Sequence, residues 1–362
     1  MSRRPARAGI RLAGGVSALI IASSPVRAHV VYVSDEDERG DALAFLRDAF
    51  TDPIVVGSLA SVAIVLGILL IAYLYWQPAR HDLRAARSVL DSYRDLLPWL
   101  LRLGFGLPLV GAGVSGEFFN PAVEPIVSTE LMRVIQIALG FALLFGLATR
   151  VSAFTVLSIY LISLPFEPAL AYSPEWIPGL LAVVFLGAGR PSADQLLERV
   201  ASADRTLYGR LDLVHRAAPP IRHVLAPGRR AVPTLLRVGL GITFIGLGVG
   251  EKLLAPEMAA DVVHQYQLQA VLPIPIDLWI LGAGLAEVGI GLMLLLGAFT
   301  RFSAVVALAI FTLALFAIPD DPVLAHVGIF AMTSALLITG SGPWALDNRI
   351  GTSQNGHRTA VG

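Results

Sequence analysis

Apolar runs of helix length, parted by short polar segments, recur along the whole chain. The first, Leu12–Ala22, is short for a membrane span. The second, Pro53–Trp76, is long enough to cross a bilayer and carries Tyr73, Tyr75 and Trp76 as an interfacial belt. Eight more runs follow in two sets of four. The first set covers approximately 97–116, 131–148, 151–165 and 175–189, and the second 233–253, 278–297, 302–318 and 323–340. The pattern predicts an all-α, polytopic membrane protein.

The two sets share residues in the same order. Leu100-Leu101-Arg102-Leu103-Gly104-Phe105-Gly106 matches Leu235-Leu236-Arg237-Val238-Gly239-Leu240-Gly241. Gly111, Gly113 and Pro121 match Gly246, Gly248 and Pro256 at the same offset. Gly146, Thr149-Arg150 and Ser152-Ala153 match Gly297, Thr300-Arg301 and Ser303-Ala304; Pro165 and Pro168 match Pro319 and Pro322. Each set closes on a Gly-x-Gly turn, Gly187/Gly189 and Gly340/Gly342. An internal repeat of this length changes the fold assignment: two four-helix transmembrane bundle repeats, parallel because each crosses an even number of times. Together with Pro53–Trp76 they give nine crossings.

Charge sets the orientation. The predicted outer loops 117–130, 166–174, 254–277 and 319–322 hold no Arg or Lys, whereas the linker 190–232 holds eight arginines. Arg150, Arg301 and Arg349 fall on the same inner side, and Arg133 alone is discordant. The positive-inside rule then puts the N-terminus outside and the C-terminus in the cytoplasm of a cell-membrane protein. The expected organisation is an export signal at 1–28, an acidic extracytoplasmic segment at 29–52, the first span at 53–76, a cytoplasmic linker at 77–96, repeat one at 97–190, a second cytoplasmic linker at 191–232, repeat two at 233–347 and a cytoplasmic tail at 348–362. Arg3, Arg4, Arg7 and Arg11 precede the apolar run of the signal, and Val26-Arg27-Ala28 offers small residues at the cleavage positions. A retained anchor is the alternative. The stretch Asp194–Arg210 is amphipathic and suits either a membrane surface or solvent.

Composition agrees with the pattern. The chain is 55% hydrophobic and 15% charged, against about 25% charge in soluble domains, with a mean hydropathy of +0.70. Net charge is zero, so nothing points to nucleic acid. With no cysteine, thiol nucleophiles, disulfide relays and cysteine-held clusters are excluded. No P-loop, zinc-protease or nucleophile-elbow motif occurs in an appropriate context. His29 would be the N-terminus after cleavage, but has no second histidine nearby in sequence. His264 and His326 are isolated, so no metal site is predicted.

The candidate chemistry lies in repeat two. Lys252 is the only lysine of the chain and ends an apolar helix beside Glu251. Glu287 sits about nine residues into its helix, or about 13 Å deep at 1.5 Å per residue, between apolar neighbours. An intramembrane acid must be protonated, paired or hydrated, and is a functional hypothesis by default. Asp320-Asp321 precede the fourth helix and His326 lies one turn into it. Lys252 compensating Glu287 in an outward-facing polar pocket is the expected arrangement. A snorkelling lysine, a structural acid and a core histidine are the plain alternatives. Repeat one carries Glu117, Gly116, Gln136 and Tyr172 where repeat two has Lys252, Glu251, Glu287 and His326.

Together, Arg237-x-Gly239, Gly250-Glu251-Lys252, Pro256, Glu287 with Gly291, Gly297-x-x-Thr300-Arg301 and Gly340-x-Gly342-Pro-Trp-Ala-Leu346-Asp347 resemble the DoxX/DoxD family of small four-helix membrane proteins. The resemblance covers nearly all of repeat two, and repeat one with its charged positions replaced. It implies a four-helix unit and a link to respiratory redox, since DoxD-like members are subunits of a thiosulfate:quinone oxidoreductase and other relatives are membrane partners in redox or stress-response complexes. On that resemblance the cofactor is a quinone. Glu287, Lys252 and His326 form the expected catalytic set, Glu251, Lys252 and Glu287 the binding set, and protein subunits and lipid are the partners. A non-catalytic scaffold and a transporter or proton path are the alternative functions.

Overall fold

The computed structural model describes residues 41–123, 129–203, 206–208 and 220–349. The expected signal segment, residues 29–40, part of the expected second linker and the end of the tail lie outside them. The described residues are predominantly helical, without a strand. Helix α1 (Ala42–Thr51) starts on Asp41, whose carboxylate accepts the N–H groups of Leu43 and Ala44. Asp52 caps α2 (Pro53–Trp76) through Ile54, with Pro53 in the first turn, where its missing donor costs nothing. Helix α3 (Arg80–Asp91) occupies the first linker.

The eight expected runs are α4 (Leu97–Ser115), α5 (Thr129–Phe145), α6 (Thr149–Ser163) and α7 (Trp176–Leu186), then, after α8 (Ala193–Ser202), α9 (Gly228–Gly246) with its continuation Leu247–Leu253, α12 (Ile276–Leu296), α13 (Thr300–Ala317) and α14 (Val323–Thr339). The stretch 254–277, expected as a loop, contains two short helices, α10 (Pro256–Gln265) and α11 (Leu268–Val271). Five of the helices, α2 among them, are long and apolar enough to span a bilayer.

Small residues bring the helices together. Gly106 of α4 lies against Gly140 of α5, and Gly241 of α9 against Gly291 of α12, with backbone where a side chain would stand. Such close approach is how membrane helices gain packing without a hydrophobic drive. Each four-helix unit also leans on the other: Gly104 of α4 meets Ala331 of α14, and Gly239 of α9 meets Pro178 of α7. The main core runs continuously through both units, from Leu101 and Phe105 to Phe244 and Met332.

One end of the bundle is closed by buried guanidinium groups. Arg237 donates to the carbonyls of Leu294, Leu295 and Trp344, and Arg102 to those of Leu144, Ala188 and Pro191. These include last-turn carbonyls of α5 and α12, which a helix end leaves unsatisfied. The third helices lack a capping side chain of their own. Asp194 instead takes the N–H groups of Ala148 and Thr149, and Asp347 takes those of Phe299 and Thr300. Gly146 and Gly297 adopt φ +68° and +66° at the matching turns, a left-handed conformation that glycine enters without strain.

Candidate functional site

The opposite end of the second unit holds the ionisable cluster. After Gly246 the helix widens into a π turn, Leu247–Leu253, which carries Glu251 and Lys252. Isolated π turns concentrate at functional sites, because the extra residue redirects side chains. Here the turn places Lys252 Nζ 3.0 Å from Glu287 Oε2 and 3.4 Å from Glu251 Oε2. Glu251 is 3% and Glu287 9% exposed, so one ammonium bridges two buried carboxylates.

Burial disfavours an isolated ion by several kcal/mol, and pairing recovers part of that cost. The triad has one cation and two acids, so with all three ionised it holds one surplus negative charge. Such a set favours a proton or a neutral group with an acceptor oxygen over an anion.

His326 joins a second pair rather than this triad. Its Nε2 lies 3.2 Å from Asp321 Oδ2 and its Nδ1 3.0 Å from the carbonyl of Pro322. Asp321 stands in the turn between α13 and α14. Burial pushes its carboxyl up to about 7, an effect that the positive charge of Lys252 partly offsets. The two pairs therefore sense each other electrostatically. Asp321, which the sequence places just before the fourth helix, is part of the cluster.

Helix α10 covers this end, packing on both the π turn and α12. Ala255, Met258 and Val262 bury against Tyr266 and Ile318, and the Tyr266 hydroxyl donates to Asp320 Oδ2 at 2.9 Å. Helix α1 lies nearby: Ala49 and Val55 of the N-terminal segment bury with Leu281, against Leu253 and Leu278. Because Lys252 is the sole lysine, an amine-reactive ester reports on this cover directly. Tyr266→Phe removes a hydrogen bond worth about 1 kcal/mol, so acylation of Lys252 in solubilised protein is expected to quicken about fivefold. Peptide mass mapping measures the rate; an unchanged rate would show that the Tyr266 contact does not hold α10 down.

The first unit solves the same position without charge. Gly116, at φ +86°, ends α4 where Glu251 continues the second unit's helix. Glu117 therefore stands beyond the helix. Gln136, at the Glu287 position, donates to the Glu117 carbonyl at 2.8 Å and accepts from the Phe119 N–H at 3.2 Å. Burial raises the Glu117 carboxyl above its ordinary range. The described residues contain no group of three or more His, Cys, Asp or Glu arranged to hold a metal.

Searches of curated proteins and of solved structures found no match. The family model described as DoxX matches residues 232–320. That span runs from the entry of α9 past the end of α13 and contains Glu251, Lys252 and Glu287, with Asp321 and His326 just beyond it. The chain is thus an all-α, multi-pass membrane protein whose residues 232–320 match the DoxX family model.

Proposed function

We propose that this protein is a membrane subunit of a quinone-linked redox complex, with Glu287 exchanging the quinone's proton and Lys252 holding the carboxylate in place. The observation that carries the reading is the single ammonium shared by two buried carboxylates at a π turn. A carboxyl shielded from water and held by one movable cation suits proton transfer. His326 and Asp321 form a neighbouring pair that would pass the proton on. The surplus negative charge disfavours an anionic donor such as thiosulfate at this cluster, which supports a reading in which a partner subunit binds it.

The matched arginine, aspartate and glycine contacts support reading residues 97–190 as a second unit of the same design, with its site replaced by Gln136. The arginine-rich segments support placing the Lys252 end outside and the Arg237 end in the cytoplasm. A scaffold role is favoured by α2, a spanning helix whose apolar surface is almost wholly exposed.

The test is extraction of lipoquinone from purified protein, with quinone-analogue binding to wild type and Glu287→Gln. At least a tenfold weaker affinity, about 1.4 kcal/mol, is expected for the variant. Absence of quinone together with no analogue binding would remove the redox reading and leave the scaffold.

A further inference from the structure

A second buried acid lies outside the cluster, in the seam between the two units. Glu175 immediately precedes α7 and is 4% exposed, yet its Oε2 is buried without a hydrogen-bond partner. A buried polar atom of this kind calls for an explanation, and an internal water is a common one. Glu175 lines a small chamber with Ser173, Phe105, Phe119, Trp176 and Gly328. Room for water centres amounts to about 10 Å³, close to the 10–15 Å³ that one water requires.

The chamber is walled by α4, the turn that follows it, α7 and α14, and among the described residues Glu175 is the only titratable one lining it. Other titratable groups on these elements have contacts of their own. Arg102 points to carbonyls at the far end, His326 pairs with Asp321, and Glu117 is half-buried beyond α4. The Ser173 hydroxyl receives the Asn120 amide at 3.4 Å, and Asn120 also bonds the Ala169 carbonyl. The Ser173 proton is therefore available to a third partner.

We propose that this chamber is a water- and proton-binding site of the first unit, in which Glu175 carries the proton and one water joins it to Ser173. Phe105, Phe119 and Trp176 shield the site, and burial pushes the Glu175 carboxyl up to about 8. The water supplies the hydrogen-bond partner that the chain does not. The site is separate from the Lys252 cluster and is independent of the quinone reading.

Infrared spectra of the full chain in nanodiscs, wild type minus Glu175→Gln, test the proposal. The difference isolates Glu175 from the other buried acids. A protonated-carboxyl band is expected at pH 7 that fades as pH rises through about 8. Ser173→Ala should shift that band, since the water loses one of its two partners.

Thermal unfolding gives an independent readout. The unfolded carboxyl ionises near 4.5 and the folded one near 8, so the acid costs the fold stability progressively across that window. Glu175→Gln lacks this cost and should gain Tm on wild type between pH 5 and pH 8, with no further gain above. A missing band, or a variant that tracks wild type at every pH, would overturn the proton site. A band indifferent to Ser173→Ala would overturn the water. Should Glu175→Gln fail to fold, the wild type minus Ser173→Ala difference decides, since Ser173 lines the Glu175 chamber; no shift in any protonated-carboxyl band would overturn the site.

Discussion

Replacing Lys252 by Met is expected to destabilise the protein by about 4 kcal/mol, since removing one partner of a buried ion pair typically costs 3–5 kcal/mol. Lys252 holds two buried carboxylates at 3.0 and 3.4 Å, and its removal takes the ammonium from both. Glu287→Leu removes only one carboxylate, and Glu251 still balances the ammonium. About 2 kcal/mol is therefore expected for it, below the usual range. The double variant should lie closer to Lys252→Met than to the sum, because both changes remove the same contact. Unfolding in mixed micelles, by titration with a denaturing detergent, measures all four corners of the cycle. Simple additivity would sink the idea that Lys252 and Glu287 act as a pair.

The second large effect is expected at the other end. Arg237→Lys should cost about 3 kcal/mol, because hydrogen bonds from a charged donor are worth about 1.5–3 kcal/mol each. The planar guanidinium reaches three carbonyls from two directions, Leu294 and Leu295 on α12 and Trp344 beyond α14. An ammonium is a point donor and cannot span that set. Arg102→Lys should cost a similar amount, since Arg102 also bridges three carbonyls. Thermal unfolding of both variants, beside Arg87→Lys on the exposed helix α3 as a surface control, checks this. A lysine that substitutes at no cost would contradict the bridging role.

Much of the helix layout is readable from residue pattern, because membrane helices must satisfy their own backbone and so appear as long apolar runs. The expected run 278–297 is observed as Ile276–Leu296, and 323–340 as Val323–Thr339. Reading 254–277 as a loop misses α10, which is only ten residues long and begins at a proline. Its burial depends on the π turn and α12, which a local pattern does not contain.

The site was partly legible. Glu287 stands out as an acid among apolar residues, and Lys252 as the lone lysine. Glu251 is named in the binding set through the family resemblance, and that the helix widens at Gly248–Gly250 has no sequence signal beyond those glycines. His326 belongs to the Asp321 pair, a choice made by packing. Glu175 went unread because a single acid at the start of an apolar run looks like an ordinary helix-start residue.

The contact across the seam is reciprocal. A glycine on the first helix of each set meets the fourth helix of the other, at Gly104–Ala331 and again at Gly239–Pro178. The seam therefore rests on small residues and close approach rather than on either polar position, so the acid–amine centre at Lys252 and Glu287 and the neutral amide at Gln136 can differ without disturbing it.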